Sequence, residues 1–322
     1  MDINSTFNGL KESRHLLSLT LIPNILIIPS SVLAIVVNIF TVAIIISAIK
    51  LHTKCFVLLS FNSLSNILIG MSYLVATTLK LKRYFLETGE IMTVWNCCLE
   101  LSFLIFSQVW SLGMNIALVT ERVLATYCSH RYKHWSYFQV TVPFVLSTIL
   151  LALSQLALHV HDSWISNERF LKRCSIADIV TPVALTILTC IQILMSLVVI
   201  ILHVVLAHGV KKQRHQFHEL KSTLSTAAAQ REMARLEADA KFVKAVSAIV
   251  VAQTCAIVSK FILCLVDVLS GEVTATVANR VAAQVVILSS TIDFFALVTM
   301  SSQFRAAAKK FFHVGESIVS AT

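Results

Sequence analysis

Glycine and proline are scarce in this chain, seven and four in 322 residues. Charge is scarce as well. Asp, Glu, Lys and Arg make up 13% of the sequence, where a soluble domain carries about 25%. With 57% hydrophobic residues, too little polar surface is left to coat a soluble fold of this length. There is no Gly-rich phosphate loop, no His-Glu-x-x-His and no Cys-x-x-Cys pair, so no nucleotide-binding, zinc-hydrolase or paired-thiol chemistry is legible. The eleven histidines are scattered, and the one cluster, His208, His215 and His218, lies in a polar stretch and reads as solvated. Neither an enzyme activity nor a cofactor or metal is expected. No internal repeat, low-complexity tract or second domain is visible.

What the sequence has is seven long apolar segments: Leu21–Ile49, Cys55–Leu79, Ile91–Thr126, Ser136–Val160, Ala177–Ala207, Phe242–Leu269 and Val281–Ser301. About 20 apolar residues cross the hydrocarbon core as a helix, because only a helix satisfies its own backbone where water is absent. The expected fold is all-α, a seven-helix membrane bundle. Residues 1–20 form an outer N-terminus, 21–302 the bundle and 303–322 a tail.

The net charge of +9 is not a nucleic-acid signal, because the charges sit in loops between spans. Their placement instead orients the bundle. Lys50, Lys54, Arg122, Arg131, Lys133, the Lys211–Lys244 set, Arg305, Lys309 and Lys310 fall on one side and outnumber the positives on the other. The positive-inside rule then places the N-terminus outside and the tail inside. Asn4-Ser5-Thr6 is a glycosylation acceptor usable only in that orientation. The first twenty residues are polar, so a cleavable signal peptide is not expected, and the first span serves as the targeting signal.

Three cysteines fall on the outer side, and oxidising conditions there permit Cys97 or Cys98 to bridge to Cys174. The loops between spans are short, with two exceptions. His161–Ile176 carries Trp164, Arg169, Lys172, Arg173 and Cys174 and reads as a lid over the outer mouth. His208–Lys241 is the large inner loop. From Thr226 it is built of strong helix formers, so span six is expected to continue inward as a charged helix, a docking surface or simply a solvated extension. After span seven, Phe304, Ala308, Phe311 and Phe312 repeat at helical spacing opposite Arg305, Lys309 and Lys310. That pattern describes an amphipathic helix on the inner membrane surface.

These features resemble a G-protein-coupled receptor. Cys97 lies 25 residues before Arg122, the spacing of the disulfide cysteine and the Asp/Glu-Arg-Tyr arginine in rhodopsin-like receptors. Asn38 lies mid-way along span one, and Asp293, Leu297 and Phe304 carry the spacing of the span-seven motif. Pro182 stands for the span-five proline. Departures are also present. Val123, Phe294 and Leu297 replace two tyrosines and a proline, span six has no proline, and Asn66 stands where span two carries a sodium-binding aspartate. Leu104 and Ile287 occupy the positions of the amine-receptor aspartate and the opsin lysine, which sets those two groups aside. Glu121-Arg122-Val123-Leu124-Ala125-Thr126, with Tyr132 shortly after, is similar to the nematode serpentine chemoreceptors of the Sra superfamily. Within it the Srab class is favoured.

The resemblance implies a plasma-membrane receptor, with sensory cilia of chemosensory neurons as its address. It would bind a small-molecule ligand in the outer half and a heterotrimeric G protein on the inner face. It implies a Cys97–Cys174 disulfide and a coupling switch at Glu121, Arg122 and Asp293. Glu237 and Asp239 are further candidate partners for Arg122. Ionisable residues within spans are costly and so are functional candidates. Lys260 is the sharpest ligand candidate, pairing with an acidic odorant or with Glu100 or Asp267, and structural ion pairing is its plain alternative. Glu100 lies near the outer mouth, within reach of Lys82 or Arg83. Gln108, Asn115, Gln155, Gln192, Gln253 and Gln284 read as interhelical hydrogen-bond partners. The rival from another class is a seven-helix ligand-gated channel or transporter. The scarcity of helix-breaking Gly and Pro and the inward charge bias weigh against it.

Overall fold

A computed structural model of the chain describes residues 21–48, 51, 53–86, 92–167, 169–171, 174–176, 179–221, 243–244, 246–260, 262–263, 266 and 273–319. Among the described residues, six helices are long and apolar enough to cross a membrane: Leu21–Ser47, Lys54–Phe85, Val94–Tyr127, Tyr137–Ile165, Pro182–Lys212 and Arg280–Met300. They are spans one to five and seven. Span six is an apolar helix at Val246–Lys260. The architecture is the expected seven-helix bundle, followed by a tail helix, Ser302–Val319.

Span three is the hub. In its most apolar stretch 78% of the residues are buried, against 28% in the corresponding stretches of spans four and five, which leave most of theirs at the bundle surface. Close approach at the hub uses a glycine. A Cβ on Gly113 would stand 3.0 Å from Cβ of Thr148, so spans three and four meet almost backbone to backbone. The core forms two apolar clusters. One gathers Cys97, Leu101, Ile105, Cys174 and Ile179 at the disulfide end. The other gathers Leu58, Leu118, Val246, Leu297 and Phe304 towards the Arg122 end.

Several helix ends differ from expectation. Span two runs to Phe85, beyond Leu79, because Lys80 is buried against the lid and Arg83 finds an anion on span three. Basic residues in a last turn also suit the helix dipole. Span four opens with a capping box, in which Ser136 and Gln139 exchange side-chain-to-backbone bonds, and it runs on to Ile165. Span three starts at Val94, after a two-residue strand. Pro182 is the first residue of span five and not an interior kink, the position where a missing N–H costs nothing. Span five continues to Lys221, so the first part of the large inner loop is helical. The expected inward extension of span six lies outside the described residues. A six-residue helix, Ser129–His134, in the loop between spans three and four was not foreseen.

Candidate functional site

Three polar constellations stand out against the apolar bundle. The first closes the inner end of span three. Glu121 is fully buried, and Arg122 clamps it through Nε–H and Nη2–H at 2.5 and 2.6 Å. Adjacent helix residues point in different directions, so this pairing requires the long arginine to fold back on its neighbour. The hydroxyl of Tyr132, on the short loop helix, donates to the same carboxylate. Lys54, which opens span two, donates to the Tyr132 carbonyl at 2.6 Å and lies 4.0 Å above its ring. Burial, together with the Glu121 charge, holds the Tyr132 hydroxyl well above its ordinary pKa, so it remains a donor. Of the candidate partners for Arg122, Glu121 is the one found, while Glu237 and Asp239 lie outside the described residues. Lys54 and the inward turn of Tyr132 were missed in the sequence, where Tyr132 stood out only as a motif residue.

The second constellation is a polar layer centred on Asp293, which is fully buried. Its Oδ2 accepts from Asn62 and Asn66 at 3.1 and 2.9 Å, and its Oδ1 accepts from Gln253 at 2.8 Å. Ser111 donates to Asn66, and Asn38 donates to the Ser290 carbonyl at 2.9 Å. Spans one, two, three, six and seven thus meet in one polar layer, with spans two and six bonding the carboxylate directly. Sequence reading marked Asp293, Asn38 and Asn66 separately. That Asn62 and Gln253 join them is visible only once the helices are in register. Asn115 is fully buried, and its side-chain amide makes no hydrogen bond among the described residues.

The third lies at the opposite end. Cys97 is disulfide-bonded to Cys174, and Cys98 is a buried free thiol. Strand β1 (Met92–Thr93) pairs antiparallel with β2 (Phe170–Leu171). Lys80 donates to the Cys174 carbonyl at 2.8 Å, and the backbone N–H of Thr181 donates to Asp162 at 2.6 Å. Trp95 meets Trp164 edge-on at 5.3 Å. The loop before span five is therefore fastened as a lid. Beneath it, Glu100 pairs with Arg83 at 2.5 Å and not with Lys260. Lys260 is buried and stands 5.0 Å over the ring of Tyr73, whose hydroxyl accepts from Gln108 at 2.9 Å. The structure thus separates two residues that the sequence left as possible partners. Asp267 and Asn4 lie outside the described residues.

Gln192 donates to Gln155 at 2.9 Å and Gln284 to Ser30 at 3.1 Å, the interhelical role expected of them. Among the described residues, no three His, Cys, Asp or Glu side chains converge to hold a metal ion.

Comparison of the sequence with individual curated proteins gave no match. Comparison with protein families gave one that spans most of the chain, from residue 5 to residue 277, and ends before most of span seven. The seven-helix bundle agrees with that match, and the chain belongs to the family described as serpentine type 7TM GPCR receptor class ab chemoreceptor.

Proposed function

We propose that this chemoreceptor binds a small molecule in the outer half of the bundle, between spans three, five, six and seven, and activates a heterotrimeric G protein at the Arg122 end. The orientation follows the charge bias, which favours a cytoplasmic position for Arg122 and the tail helix, and membership of a chemoreceptor family supports the plasma membrane or cilia of a sensory cell as the address. Lys260, Glu100 and Asp267 are the ligand-facing candidates. An acidic odorant suits Lys260, whose ammonium sits over an aromatic face in a low-dielectric setting.

The observation that carries this reading is the clamp at Glu121. Arg122 is turned back onto its neighbour, whose carboxylate Tyr132 also holds, an arrangement that engages the guanidinium within the bundle end. Ligand binding favours a second state in which the inner end of span six swings away and Arg122 is released to floor a cavity for the G protein. Asp293, bonded to Gln253 of span six, couples the two halves. The coupling is no larger than the ligand's differential affinity for the two states.

The test needs no ligand. Glu121→Gln weakens the clamp, and the receptor reconstituted with purified heterotrimers of each Gα class should load GTPγS several-fold faster than wild type. Arg122→Ala should abolish that gain. Loading no faster than empty vesicles for every class would remove the coupling reading and turn attention to ion conductance.

A further inference from the structure

We propose that the loop between spans three and four is a docking site for anionic phospholipid headgroups. The loop helix Ser129–His134 has one side fixed, because Tyr132 is held inward by Glu121 and Lys54. At 3.6 residues per turn, the side opposite Tyr132 carries His130 and His134, flanked by Arg131 and Lys133. All four are exposed, and the two imidazole rings lie 5.3 Å apart on that shared face. From Arg122 to His161 the chain contains no Asp or Glu, so this stretch supplies no anion of its own to offset the patch.

The depth of the patch identifies its occupant. On span four, Phe138, Val142, Leu146 and Leu150 form one outward stripe at helical spacing, each about half exposed or more. That stripe faces acyl chains. Phe138 begins it at 72% exposure, and the exposed Trp135 and Tyr137 stand beside it, the aromatic placement of a membrane–water interface. The basic helix immediately precedes these aromatics, which sets its charges at headgroup level and facing out from the bundle. An acidic protein would meet the same charges but would leave the neighbouring apolar aromatics unexplained. The tail helix, with its own basic residues, packs against spans one and seven, so the two sites are separate. The inference needs only the membrane placement and does not depend on G-protein coupling.

The test uses Trp135 as a reporter. With Trp95→Phe, Trp110→Phe and Trp164→Phe, the full chain is reconstituted in phosphatidylcholine containing a minor fraction of brominated phosphatidylserine, or the same fraction of brominated phosphatidylcholine. The anionic lipid should quench Trp135 beyond its share of the bilayer. Arg131→Gln with Lys133→Gln should bring the two lipids to parity, at about five-fold in local affinity per cation removed. Lys309→Gln with Lys310→Gln should leave the preference intact. Parity in the unsubstituted loop overturns the proposal, as does loss of the preference in the tail variant. Parity in the unsubstituted loop, with weaker G-protein binding in the loop variant, would make the patch a protein contact instead. If the tryptophan replacements do not fold, headgroup spin-labelled phosphatidylserine on the native chain gives the same comparison by electron paramagnetic resonance.

Discussion

Tyr132 and Glu121 are eleven residues apart in the chain and bonded in the fold, the phenol donating to the Oε1 that also holds Arg122. A hydrogen bond to a charged group contributes about 1.5–3 kcal/mol. Tyr132→Phe deletes that bond and keeps the ring over Lys54. If the bond exists only in the clamped state, basal GTPγS loading should rise about ten-fold or more. Unchanged loading would make Tyr132 a packing residue.

Cys97 and Cys98 are neighbours with opposite fates. Cys97→Ser and Cys174→Ser should each cost about 2–5 kcal/mol and most surface expression, while Cys98→Ser should be close to neutral. Cell-surface immunolabelling gives the expression. Maleimide labelling of the denatured protein before and after reduction shows which thiols were paired.

Asp293 takes three amide N–H bonds from two other spans. Asn66→Ala and Gln253→Ala should each destabilise the detergent-solubilised protein by about 0.6–1.7 kcal/mol, the range measured for interhelical hydrogen bonds in a membrane protein. With Asp293→Ala as the third variant, double-mutant cycles should be non-additive. Additivity would mean that the layer does not act as a unit.

Gly113 leaves no room beside Thr148. Gly113→Leu should force spans three and four apart and cost about 1–3 kcal/mol or more, whereas Gly113→Ala should be milder and partly rescued by Thr148→Ala. Thermal unfolding followed by thiol-reactive fluorescence distinguishes the two.

Orientation is tested at the other end of the chain. Expressed in cells, the protein should lose mass on glycosidase treatment, and Thr6→Ala should remove that shift. An N-terminus that carries no glycan and is protected from external protease would invert the bundle.

The spans were legible because lipid imposes a simple demand on sequence, about 20 apolar residues per crossing, and the tail helix because its phenylalanines repeat at helical spacing. A bridge to Cys174 was legible from the residues, which left Cys97 and Cys98 both open, and only the spacing of a known pattern favoured Cys97, the cysteine found in the bond. Helix ends were less so. Lys80 and Arg83 looked like loop residues because a charge usually marks a span's end, and only the Cys174 carbonyl and Glu100 explain why the helix continues past them. The Asp293 layer illustrates the deeper limit. Each of its amides is individually unremarkable, and their convergence depends on the rotation of five helices, which no local pattern encodes. The loop helix was missed for a similar reason, since its six residues are ordered by Glu121 and Lys54 and not by their own periodicity.

The fastening of the lid has a mechanical consequence. Lys80, the disulfide, the β1–β2 pair and the Asp162–Thr181 bond join spans two, three, four and five into one braced ring at the outer rim. Such a ring behaves as a stator. In the activation proposed above, displacement of span six would be a movement against that fixed frame, and a ligand would need to shift a single lever to be registered at the far side of the membrane.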